Sequence, residues 1–228
     1  METTIIINIQ LYNLSVCYSD NRILKFKLNI METPKKIDGM LTRAENAILV
    51  VDMENAWVSP KSPQCIKGAL TTLPAIKKFL DFGRANDWAV IYLYRIHLPS
   101  GIDAENYRRH FFEEGQPFCI AGTWSAEIPD EIAPQPGDIK VTKQRFSAFF
   151  ATELDLILRG LGTKNVYIAG TQYPNCVRGT AVDSMSLDYN TFVVTDCCSA
   201  MSDEVANANI YDMRNMGITC ISSEEIMK

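Results

Sequence analysis

From Ala47 onward, short uninterrupted apolar runs alternate with stretches in which apolar residues recur every three or four positions. The first run, "AILVVDM" (47–53), carries no polar position before its acid, as a strand covered on both faces requires. Residues 66–87 place Ile66, Leu70, Leu73, Ile76, Leu80 and Phe82 at helical spacing, and "AVIYLYRI" (89–96) predicts the next strand. A long irregular region (97–138) leads to a short strand, "IKVTK" (139–143), and then to a helix over 147–161, opened by Ser147 as N-cap and closed by Gly162. "NVYIAG" (165–170) predicts a strand, Pro174 to about Tyr189 a helix, "TFVVTD" (191–196) a strand, 203–216 a helix and "ITCIS" (218–222) a last strand.

Strands that alternate with helices of this length need crossover connections. The fold class is therefore α/β, a three-layer α/β/α sandwich around a mostly parallel sheet of about six strands. Ligands of such sheets bind beyond the carboxyl ends of the strands. That rule gathers Asp52, Arg95, Lys143, residues 171–176 and Asp196 along one edge.

Residues 47–228 read as one domain, because 228 residues with 47% hydrophobic composition bury one substantial core. Residues 1–46 read as an N-terminal extension or arm. Up to about Ile30 this extension is rich in Ile, Asn, Leu and Tyr, and Met31 is taken as a natural start, with an edge strand or an arm packed on a neighbour as the alternative.

A net charge of -5 with scattered lysines and arginines leaves no footprint for nucleic acid or an anionic membrane. No apolar run nears the roughly 20 residues of a membrane helix, and the first residues lack the basic start of a signal peptide. Seven cysteines at irregular spacing read as reduced thiols of a cytoplasmic protein, and two histidines are too few for a zinc cluster. Cys197 and Cys198 are expected as structural thiols just past a strand. The expected partner is a small molecule, with no metal and no cofactor.

Chemistry concentrates in "GTQYPNCVRGTA" (170–181). Pro174 suits the first turn of a helix, which puts Cys176 in that turn, where the helix dipole and unpaired amides favour a thiolate and bind an oxyanion. Asp52, against an apolar strand, is expected to be desolvated, with a raised pKa suited to a general base. Lys143 would fix that carboxylate and stabilise the thiolate. Singly, each has a plainer reading: a buried cysteine, a strand-end acid bonded to its loop, a solvated lysine. Arg95 and Arg145 are candidates to pair with a carboxylate or carbonyl of a ligand, Gln172 and Arg178 for further contacts, and Trp57, Phe146, Tyr173 and Trp124 for pocket walls. The region 97–138 is long enough to be an active-site cover or an oligomer contact.

In order and spacing, "LVVDMENAW", "VTKQRFSAFFATELDLILRGLG" and "VYIAGTQYPNCVRGTAVDSMSLDYNTFVVTDCCSA" resemble the isochorismatase-like cysteine hydrolases across about Ala47 to Ser222. The resemblance implies Asp52, Lys143 and Cys176 as the catalytic set, a non-proline cis peptide at Thr171–Gln172, and the amides of Gln172 and Cys176 as the oxyanion hole. Nicotinamidases of that family hold a metal with an Asp and two His after the second strand. Here Ile96 stands where the acid would fall, and His97 and His110 are the only histidines. The retained cysteine implies C–N hydrolysis through a thioester, closest to the metal-free branch on ureido or small-amide compounds exemplified by biuret amidohydrolase. Tyr173 departs from the smaller residue of that branch. The family also implies a homo-oligomer. Vinyl-ether hydrolysis of the isochorismatase type, which needs no thiol, and a non-catalytic flavodoxin-like binding module are the competing readings.

Overall fold

The computed structural model describes residues 6–9, 14–17, 25–28 and 33–228. It forms two compact units, Met1–Lys35 and Lys36–Lys228. In the first, β1 (Ile6–Ile9), β2 (Leu14–Cys17) and β3 (Lys25–Leu28) make an antiparallel sheet in that order. Met31, the residue read as a start, lies outside the described residues.

The second unit begins at Lys36, earlier than Ala47. Its first element is a hairpin of β4 (Lys36–Ile37) and β5 (Met40–Leu41). Asp38 and Gly39 turn it with φ of 50° and 83°, the positive values that a tight Asp-Gly hairpin demands. Ala44 then fastens the segment: its amide donates to the Leu161 carbonyl, and its carbonyl accepts from Thr163 Oγ1.

The remaining elements follow in alternation: β6 (Asn46–Val51), α1 (Asn55–Val58), α2 (Ala69–Ala85), β7 (Ala89–Arg95), α3 (Arg109–Glu113), β8 (Ile139–Lys143) and α4 (Leu154–Leu161). After them come β9 (Asn165–Thr171), a π-helical turn (Tyr173–Val177), α5 (Arg178–Ser186), β10 (Asn190–Ser199), α6 (Asp203–Asn215), β11 (Thr219–Ile221) and α7 (Ser223–Ile226). The six strands are parallel and ordered β11-β10-β9-β6-β7-β8. Strand order thus reverses between β6 and β9, where an open α/β sheet leaves its ligand crevice.

The apolar runs split by strand parity. Leu49 and Val51 of β6 join Ile91, Leu93 and Val141 under Leu154, Leu158, Ala181 and Met213. Ile48 and Val50 face the other way, with Val90 and Tyr92, against Leu73, Ile76, Phe79 and Leu80 of α2. Both faces of β6 are therefore core, and every apolar position of the run is accounted for. Gly170 allows β9 to lie this close to β6: at φ 123°, a Cβ there would stand 2.1 Å from the Val51 carbonyl oxygen.

Four expectations change. The helix expected over 147–161 starts at Leu154. Ser147 does not cap it; its Oγ accepts from Phe149 N, and Thr152 donates to the Ala148 carbonyl while accepting from Leu154 N. These local side-chain bonds, with Ala148 N donating to Thr180 Oγ1, hold 147–153 out of helix. Gly162 does close the helix, at φ 72°. The helix expected from Pro174 to Tyr189 is a π turn followed by α5, ending at Ser186. β10 runs on through an irregularity to Ser199, so Cys197 and Cys198 are buried within the strand instead of past it. Asp196, placed by expectation on the ligand edge, is exposed and accepts from Ser223 N and Oγ. No helix among the described residues is long and apolar enough to cross a membrane.

Candidate active site

Four strand ends deliver one cluster. The chain turns sharply after β6 at Asp52, whose φ is 48°, and the carboxylate meets Lys143 from the end of β8, with Nζ 2.8 and 2.9 Å from its two oxygens. Arg95, the last residue of β7, brings Nε within 3.5 Å of Asp52 Oδ2 and Nη2 within 3.3 Å of Cys176 Sγ. Cys176 rises from the π turn after β9, with Pro174 at its start and the Gln172 carbonyl accepting from Asn175 and Val177. The Thr171–Gln172 peptide is cis. All four side chains are buried. Asp52, Arg95 and Cys176 line a narrow cleft together with Trp57, Ile66, Arg108, Thr171, Gln172 and Asn175.

The electrostatics reverse one expectation and qualify another. Burial opposes ionisation of Asp52, but the charges of Lys143 and Arg95 and hydrogen bonds from Cys176 and Lys143 hold its pKa below the ordinary value, not above it. Burial, and then the Asp52 charge, push the Cys176 thiol up, against the pull of Lys143 and Arg95. The thiol therefore keeps its proton while the carboxylate on the same cleft is ionised.

Of the other residues singled out from sequence, Trp57 lines the cleft with its indole Nε1 buried and unpartnered. Phe146 stands 5.9 Å beneath the Arg95 guanidinium. Arg95 has both terminal nitrogens engaged by protein: Nη1 reaches Glu105 and the Gln144 carbonyl, and Nη2 the Arg145 carbonyl, each at 3.0 Å. Arg145 turns away to the carbonyls of Asp103 and Gln144. Tyr173 packs into the core, where its hydroxyl donates to the Thr195 carbonyl at 3.0 Å. Arg178 pairs with Asp212 between α5 and α6 on a half-exposed face. Trp124 is exposed, and its carbonyl accepts from Asn55. These four do not line the cleft, because residues near a strand end in sequence need not face it.

Sequence reasoning missed Glu54, Glu105 and Arg108. Glu54 is fully buried, with Oε1 accepting from the Arg95 amide and Oε2 unpartnered. Burial and the Asp52 charge push it up to about 8. It stands two residues after Asp52 in "DMEN", so its place beside the strand end was readable. Glu105 and Arg108 come from the 97–138 region through a short 3-10 turn (Asn106–Arg108), and no periodicity announces them. Arg95 and Arg108 hold the Glu105 carboxyl below its ordinary range against the effect of burial. His97 is buried with both ring nitrogens unpartnered; burial and the Arg95 charge push it down to about 4. Among the described residues, no three His, Cys, Asp or Glu side chains gather as metal ligands. The six cysteines whose side chains are described are free thiols.

A thiol, an ionised carboxylate and two cations meet at a parallel-sheet switch point, chemistry suited to hydrolysis, and the comparisons give a hydrolase family. Residues 46–225 match the isochorismatase domain, and the chain belongs to the isochorismatase family of hydrolases. It is similar to a probable inactive nicotinamidase of Arabidopsis thaliana, 38% identical over 175 residues, covering 75% of this chain and 89% of that protein. It is also similar to the ureidoacrylate amidohydrolase RutB of Agrobacterium fabrum, 32% identical over 193 residues, covering 76% and 84%. The crystal structure of an isochorismatase family protein from Desulfovibrio vulgaris superposes with a TM-score of 0.79 at 46% identity, covering 81% of this chain and 97% of that one.

Proposed function

We propose that this protein is a cysteine amidohydrolase cleaving a C–N bond of a small amide or ureido compound through a thioester. The observation that carries the reading is the placement of Cys176 Sγ on the same cleft as Asp52 and 3.3 Å from Arg95 Nη2, while Lys143 holds the carboxylate at 2.8 Å. The similarity to an enzyme named as an amidohydrolase supports the bond class.

Asp52 takes the thiol proton as Sγ attacks the carbonyl carbon, and Lys143 and Arg95 stabilise the thiolate as it forms. The amides of Gln172 and Cys176, in the loop beside the thiol, take the oxyanion. The C–N bond then breaks, and the nitrogen leaves with the proton from Asp52. Water attacks the thioester with Asp52 again as base, the C–S bond breaks, and the acid product departs as the sulfur regains a proton. No step draws on a metal or cofactor.

Ammonia release from biuret, N-carbamoyl acids, nicotinamide and maleamate, with Cys176→Ser as blank, tests this. Cys176→Ser is expected to abolish turnover without changing the circular dichroism spectrum, and Asp52→Asn to lower kcat by about 10²–10⁴-fold. Full activity in Cys176→Ser overturns the proposal.

A further inference from the structure

Arg108 enters the cleft from outside the strand ends. Its side chain is 10% exposed, and its one hydrogen bond among the described residues is a long one, Nη1 to Glu105 Oε1 at 3.4 Å. That Glu105 oxygen is already held by Arg95 at 3.0 Å. The guanidinium is walled by rings: its carbon lies 5.1 Å from the centroid of Tyr107, 5.2 Å from Phe146, 5.6 Å from Trp57 and 6.0 Å from Phe118. The rings keep water from it, and Arg108 lines the same cleft as Cys176.

Charge points the same way. At the cleft, Lys143 and Arg95 are matched by Asp52 and Glu105 through contacts of 2.8 to 3.5 Å. Just outside it, Arg145 faces the Asp103 carbonyl and Asp103 lies 3.5 Å from His97. Glu54 keeps its proton at neutral pH and His97 is uncharged there. Of the two cations that line the cleft, Arg108 has only a share in Glu105, which Arg95 holds more closely, and its desolvated place favours an anion.

We infer that Arg108 is the specificity-determining residue and that it binds a carboxylate carried by the substrate, whose amide or ureido carbon then lies over Cys176. The inference rests on the proposed function for the reacting end of the molecule and adds the charged end. The substrate class is a small ureido or amido acid, with the carboxamides of Gln172 and Asn175, which line the cleft, available to its central polar atoms.

Calorimetric titration of the Cys176→Ser protein separates this inference from turnover. The probes are N-carbamoylglycine and N-carbamoyl-β-alanine, each against its neutral carboxamide. At least one acid is expected to bind about tenfold more tightly than its amide, as a hydrogen-bonded charge pair gives. Arg108→Met in the same background removes that preference while leaving affinity for the neutral compound unchanged, and Arg108→Lys keeps part of it. A residue that merely holds the cover would lose both affinities together and show no charge preference. Equal binding of acid and amide, a preference that survives Arg108→Met, or binding of none of the four overturns the inference. If instead no panel compound is hydrolysed by the protein with Cys176 intact, it is the amidohydrolase proposal that fails.

Discussion

Glu54 makes the fold's stability depend on pH with a definite sign. In the unfolded chain its carboxyl ionises near the ordinary value of 4.5, whereas in the fold it keeps its proton up to about 8. Between those values the folded state binds the extra proton, so stability falls as pH rises, by about 1.4 kcal/mol per pH unit. His97 works oppositely below its ordinary 6.5, since it stays neutral in the fold down to about 4 while the unfolded chain takes up a proton. The clean window is therefore pH 6.5 to 8. The groups charging Glu54 from neighbouring elements are Asp52 and Lys143, which the fold keeps paired there. Denaturant midpoints are expected to drop across this window for the wild type and to stay level for Glu54→Gln; parallel curves would remove Glu54 as the cause. At this scale the sequence showed three side chains that meet, since Asp52, Lys143 and Cys176 each stand at or just past the end of an expected strand. It did not show their protonation. Asp52 is low because cations arrive from the ends of β7 and β8, far along the chain, and local context carries no trace of them.

Among the elements, β9 is the most constrained. Its Gly170 lies against Val51 with no room for a Cβ, and the next two residues form the cleft wall. Gly170→Ala must push β9 off β6 or accept a forbidden φ, and is expected to destabilise by about 3 kcal/mol or more, read by urea denaturation. A change under about 0.5 kcal/mol, the range of a neutral surface substitution, would show that the two strands can part freely. The strands of the six-stranded sheet were readable to within two residues, apart from β10, because most buried parallel strands are continuous apolar runs, whereas the hairpin of β4 and β5 was not read. Helix starts were less so. "SAFFATEL" has the composition of a first turn, but Thr152 and Ser147 bind their own backbone and delay the helix to Leu154. The conformation of 97–138 was not readable, since its 3-10 turns follow tertiary contacts such as the Tyr92 hydroxyl donating to the Ile132 carbonyl.

For the molecule as a whole, class and layering followed from alternation, but strand order did not. Nothing in the sequence says that β6, first of the six, becomes an inner strand with β9 on one side and β7 on the other. The cluster draws on residues 52, 95, 143 and 176, so it exists only when four strands are paired. On refolding from denaturant, ammonia release is expected to return with the far-ultraviolet signal and not ahead of it; an active species preceding the sheet would contradict this.

That strand order has a consequence during synthesis. The ribosome delivers Asp52 first and Cys176 last, and β6 keeps one edge open until β9 arrives to cover it. A chain cut short before β9 carries Asp52, Arg95 and Lys143 without Cys176, so abortive products never hold the assembled cluster. The same fragments expose an unpaired apolar strand edge, which makes them targets for chaperones and proteases.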